Sequence, residues 1–195
     1  MNTKALALIV TFAGLAIILN PAISGIGIPF PLLPGLIFQV WEIPTIVAFL
    51  LFGWKIGLSV AGINSVFLLA VFPGMAQPWY WLGSFVSVTS MTMGVLAAIK
   101  LTNHVSAKSQ PISLAKALAA SLALGILFRV AFMAPVMLGI LSLLNPHTIA
   151  LPIVIRYVLP FQAVFNVIVP LYMIPAGFLI ARVVSKNLKV GNQVV

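Results

Sequence analysis

Few side chains in this sequence are equipped for chemistry. There is one carboxylate, Glu42, together with two histidines, His104 and His147, ten Lys and Arg, and no cysteine. Hydrolytic and acid–base mechanisms need a pair of titrating groups held together, so paired-carboxylate catalysis is excluded and the chain reads as no enzyme. Without cysteine there are no disulfides, thiolate nucleophiles or thiolate metal ligands. The charge-derived topology puts His104 and His147 on opposite sides of a membrane, so neither a metal site nor a resident cofactor is expected. No GxxxxGK[ST] loop is present to hold nucleotide phosphates, and any ATP-driven function would require a partner.

Arg129 is the most informative single residue. It sits inside an apolar stretch, and a guanidinium near mid-span costs about 2.5–3.5 kcal/mol on insertion scales. It could pair with Glu42, bind an anionic or carbonyl-rich ligand and so help to build its pocket, or snorkel toward one surface. Asn64, Gln162 and Asn166 also fall within predicted spans. In lipid such groups need partners, either from neighbouring helices or from a substrate.

The elements that position these residues follow from composition. Of 195 residues, 63% are apolar and 6% charged, and the mean hydropathy is +1.24. Soluble domains carry roughly 25% charged residues, so this chain cannot cover a water-facing surface and reads as an integral membrane protein. At about 20 residues per crossing, six spans use the whole length as a single transmembrane domain. The fold class expected is all-α, a six-helix bundle. Its spans are placed at about 4–19, 36–53, 55–72, 79–101, 112–141 and 156–184, followed by a polar tail at 185–195. Residues 4–19 could also pass for a signal peptide, although a further hydrophobic region follows directly. Between the first two spans, prolines at 21, 29, 31 and 34 forbid a regular helix in an apolar segment. That segment is expected to be an irregular loop folded over a pocket, or one dipping into headgroups. A polar connection is expected at 102–111.

The net charge of +9 is better explained by position than by nucleic acid. Six crossings place Lys4, Lys55, Lys100, Lys108, Lys116, Arg182, Lys186 and Lys189 on one side, and only Arg156 in the opposite loops. This asymmetry predicts a multi-pass plasma-membrane protein with both termini cytoplasmic, its cations able to meet anionic lipid. Trp41, Trp79, Tyr80, Trp81 and Tyr157 then lie toward the outer surface, as an interfacial belt or around an outward-facing pocket. Thr3, Ala7, Thr11 and Gly14 form a narrow small-residue stripe that permits close helix approach.

The run from Glu42-Ile43-Pro44 through an apolar stretch to Gly53-Trp54-Lys55-Ile56-Gly57 resembles energy-coupling factor (ECF) transporter S components, with the riboflavin-type members most similar. Asn64 in Gly62-Ile63-Asn64 is similar to the polar position of their third helix. Leu159-Pro160-Phe161-Gln162 resembles the Pro-Phe-Asn that opens their last helix. The chain departs from that pattern where the family continues Asn-x-x-Lys, having Gln162 and then Phe165, and it offers Ala7-xxx-Thr11 in place of an Ala-xxx-Ala pair. The resemblance covers about 36–75 and 157–186. It implies a subunit that captures a small vitamin-like molecule, a flavin foremost, from outside. It also implies partners, a transmembrane coupling protein and paired ATPases, and a lid role for the first loop. The candidate binding residues are Glu42, Asn64, Trp79, Tyr80, Trp81, Arg129, Arg156, Gln162 and Asn166, and the candidate partner face is Thr3, Ala7, Thr11 and Gly14. A stand-alone permease or channel and a noncatalytic membrane scaffold are the alternatives.

Overall fold

The computed structural model describes residues 3–71, 80–108, 113–141 and 151–188. Its elements are α1 (Thr3–Ile18), α2 (Pro21–Ser24), β1 (Ile28–Phe30), β2 (Leu33–Phe38), α3 (Glu42–Phe52), α4 (Trp54–Val71), α5 (Tyr80–Lys108), α6 (Leu114–Gly139), α7 (Leu151–Ile153) and α8 (Leu159–Leu188). A π-helical turn at Val154–Val158 makes α7 and α8 continuous. Four helical stretches, namely α4, most of α5, α6 and 151–187, are long and apolar enough to cross a membrane, while α1 and α3 are shorter. With those two, the six principal helices expected from the sequence are present.

Helix α3 lies at the centre. Glu42 and every residue from Pro44 to Leu51 are buried, so this helix is enclosed on all sides, which explains why its sequence is apolar all round. Around it pack α1, α4, α5 and α8, while α5 and α6 form the most extensive pair. Large apolar side chains such as Val10, Val66, Leu127 and Leu179 point outward, as a lipid-facing surface requires. The Ser87, Thr89, Ser90, Thr92 and Thr102 hydroxyls of α5 donate back to their own helix. Thr89 Oγ1 reaches the Phe85 carbonyl at 2.6 Å and Thr92 Oγ1 the Val88 carbonyl at 2.7 Å. These bonds satisfy polar groups without water.

The expected Gly-x-x-x-Gly run resolves into two different physical roles. Gly53 has φ 84° and ends α3, its N–H donating to the Phe49 carbonyl. This conformation is cheap only for glycine, and α4 starts at the next residue. Gly57 instead meets the partner helix, since a Cβ there would lie 2.3 Å from the Phe49 ring.

Four expectations need correction. The segment 21–34 is not an irregular loop. Asn20 caps α2, its Oδ1 accepting from the Ala22 N–H at 3.1 Å with Pro21 in the first position. Strands β1 and β2 then pair antiparallel, with Ile28 opposite Phe38, Pro29 opposite Ile37 and Phe30 opposite Leu33. Prolines exclude helix here but not an edge strand, and both strands of a two-stranded sheet are edges.

The second span is a helix only from Glu42, because residues 36–38 belong to β2. Pro44 fits the first turn of α3, where an N–H would have no helical partner. Helix α5 continues to Lys108, so most of the expected connection at 102–111 is helical. No helix-breaking residue precedes Pro111. Finally, α8 extends to Leu188, into the expected tail. His147 and Lys189 lie outside the described residues.

Candidate functional site

One end of the bundle is built from the hairpin, the N-terminal ends of α3, α5 and α8 and the C-terminal end of α6. Between the hairpin, α5, α6 and α8 lies a cavity open on one side. Gly35, Leu36, Ile37 and Gln39 form one wall. Gly83, Ser84 and Ser87 come from α5, and Arg129, Met133, Met137 and Ile140 from α6 and its C-cap. Gln162, Phe165 and Asn166 come from α8.

The hairpin is held over this space by rings. Phe38 lies 5.3 Å from Phe165 and 6.4 Å from Tyr172, and Phe30 lies 5.5 Å from Phe165. The Tyr172 hydroxyl donates to the Gln39 carbonyl at 3.1 Å. Aromatic edge and tilted contacts of this kind add to plain apolar burial.

At the floor, Arg129 and Glu42 are 1% and 0% exposed. The guanidinium grips the carboxylate with two bonds, Nη1 to Oε2 at 2.5 Å and Nη2 to Oε1 at 3.0 Å. Its Nε–H donates to Asn166 Oδ1 at 3.0 Å, and Nη1 also approaches the Met91 sulfur at 3.6 Å. Gln39 Nε2 donates weakly to Glu42 Oε1 at 3.5 Å. Of the three sequence readings of Arg129, snorkelling is ruled out by this burial. Ion pairing and pocket building coexist in one arrangement, because the paired arginine also lines the cavity. A bidentate, further hydrogen-bonded pair is the form in which two charges can be kept away from water.

The other candidates separate. Gln162 and Asn166 are buried on the cavity side of α8, and Gln162 Nε2 has no hydrogen-bond partner among the described residues. Asn64 is wholly buried on α4, with neither amide atom partnered among the described residues, and is not among the residues lining the cavity. Arg156 is exposed in the π-helical turn, 5.8 Å from the Tyr157 ring, and is not brought to the Glu42–Arg129 pair. Trp81 is half-buried in the first turn of α5 and is not a lining residue. Only the backbone of Tyr80 is described, and Trp79 lies outside the described residues.

Trp41 corrects the belt expectation. It is fully buried at the N-cap of α3, with Nε1 unpartnered among the described residues. Of the small-residue stripe, Thr3, Ala7 and Thr11 are exposed and Gly14 is half-buried with open space beside it. Sequence reasoning missed Gln39, Ser84, Ser87, Met133 and Met137. The spacings Ser84–Ser87 and Met133–Met137 place each pair on one helix face, which was the available signal.

No protein-family model and no curated protein matches the sequence. Among solved structures, the chain is similar to one described as the S component of a bacterial ECF transporter. Sequence identity is 20% and the TM-score 0.72, over 97% of this chain and 99% of that one. This near-complete superposition leads to one conclusion: the chain has the fold of an ECF transporter S component.

Proposed function

We propose that this protein is the substrate-binding subunit of an ECF-type importer, a binding protein and not an enzyme. It captures a small vitamin-like molecule in the cavity beneath the hairpin, with a flavin the first candidate. The observation that carries this reading is the cavity itself. It is mostly apolar, carries a few convergent amide and hydroxyl groups, and is walled by a hairpin at one end of a bundle of the S-component fold. Small-molecule sites have this composition. The candidate residues that line it are Arg129, Gln162 and Asn166, and Glu42 stands behind them, bound to Arg129. Both termini face the cytoplasm in this reading, so the cavity opens outward and the hairpin acts as its lid.

The sequence lacks a phosphate loop and has one carboxylate, itself bound to Arg129. Energy must therefore come from a coupling protein and its ATPases, and the exposed Thr3, Ala7 and Thr11 face with Gly14 is the surface offered to them. Close, slidable helix contact requires small side chains. Gentle purification followed by absorbance and native mass spectrometry tests the binding claim. A retained small molecule released on unfolding is expected. A protein that carries none, and takes none from a vitamin mixture, would count against it. Ala7→Trp or Thr11→Trp should abolish uptake with the coupling module and leave ligand affinity in detergent nearly intact.

A further inference from the structure

Resting on that binding-subunit reading, we propose that the cavity selects a ligand that is uncharged at neutral pH and presents hydrogen-bond acceptors. In this scheme Arg129 is a positioning residue that turns the Asn166 amide, and not a receptor for an anion.

A lone guanidinium in a cavity of low dielectric attracts anions strongly. Here that attraction is already satisfied, because Glu42 takes two of the arginine's bonds from within the bundle. Among the described residues lining the cavity, Arg129 carries the only charge, and Glu42 cancels it. An entering anion would lose its hydration with no surplus cation to meet it. An entering cation would face the guanidinium with no unpaired carboxylate. Both are disfavoured for the same reason, desolvation without compensation.

The arginine's remaining role is directional. Its Nε–H is a donor only, so the Asn166 atom it meets is Oδ1, and the amide's N–H₂ end is turned away from the arginine. Gln162 stands four residues earlier on the same face of α8, its Nε2 without an acceptor. The Gln162 donor, unpartnered among the described residues, and the N–H₂ end of Asn166 one helical turn on are thus turned to meet acceptors, while Phe165, Met133 and Met137 offer apolar contact for the rest of the ligand. A ring carbonyl or unprotonated ring nitrogen on a flat, neutral molecule meets both demands.

The test uses purified full-length protein and two matched pairs of probes, riboflavin with its 5′-phosphate and nicotinamide with nicotinate, read by thermal stabilisation and native mass spectrometry. Where a pair binds, the neutral member should be at least about tenfold tighter. Glu42→Gln uncovers the guanidinium and should move that ratio toward the anion by on the order of 10–100-fold. The double variant Glu42→Gln/Arg129→Gln should return it toward the wild-type preference. An anion that binds wild type as tightly as its neutral partner overturns the proposal and leaves the binding-subunit reading standing. Failure of every probe to bind overturns both. A folded Glu42→Gln variant with an unchanged ratio overturns the charge cancellation, and if that variant does not fold, the wild-type ratio alone decides.

Discussion

Removing one member of the Glu42–Arg129 pair should be far more damaging than removing both. In Arg129→Met the carboxylate stays where it is, fully buried, with only the weak Gln39 contact at 3.5 Å, and Asn166 Oδ1 loses its donor. Breaking a buried pair in this way costs about 3–5 kcal/mol. For a chain of this length that corresponds to a fall in melting temperature of roughly 6–20 °C. Glu42→Leu leaves the guanidinium uncompensated and should fall in the same range. In Glu42→Leu/Arg129→Met no charge remains to be desolvated, and hydrophobic replacements of buried pairs are often neutral or stabilising by about 1–4 kcal/mol. The double variant should therefore melt above both single variants. Intrinsic-fluorescence melting in one detergent, with all four proteins side by side, measures the cycle. Additive losses, with the double variant below either single one, would refute the account of the pair as mutually compensating charges.

Four further substitutions have expected outcomes. Gly94→Ala should destabilise by about 1–3 kcal/mol or more, since its Cβ would lie 2.3 Å from the Leu124 carbonyl oxygen. Gly62→Ala, with nothing within 4 Å, should be neutral or stabilising by about 0.5–1 kcal/mol in a helix interior; melting curves distinguish the two. Tyr172→Phe removes the hydrogen bond to the Gln39 carbonyl, a loss of about 0.5–1.5 kcal/mol, and should raise amide hydrogen exchange in residues 33–39 above that in α3. In intact cells Asn103→Cys, a unique thiol in this Cys-free chain, should resist an impermeant maleimide until the membrane is opened. Labelling from outside would reverse the topology.

The helices were the most legible part of the sequence because one property, uninterrupted apolarity, dictates them. Even there, the period of hydrophobicity could not place the start of α3. Residues 36–53 are apolar but for Gln39, Glu42 and Thr45, yet they divide just before Glu42 into strand and helix, and only pairing with Ile28–Phe30 makes the strand. Proline spacing correctly excluded a helix at 21–34 but carries no positive signal for a hairpin, which depends on partner strand and register. At the site, Arg129 announced itself through its insertion cost. Its pairing with Glu42 was one of three readings, because residues 87 apart in the chain meet only through the packing of α3, α6 and α8. Trp41 illustrates the opposite failure: an aromatic next to a predicted span end suggests an interface, and only the packed fold reveals that the ring is enclosed. Asn64, prominent in sequence, is buried away from the cavity on α4, and its unpartnered amide has no explanation among the described residues.

Uptake by reconstituted protein tests the central claim most directly. Proteoliposomes holding this chain alone, or this chain with an ECF coupling protein and its two ATPases, would be offered the radiolabelled form of whichever molecule the purified protein retains. The account predicts accumulation against a gradient only with the full assembly and internal or external ATP on the ATPase side. Accumulation by the chain alone, driven by a proton gradient without ATP, would contradict it and mark the protein as a self-sufficient permease.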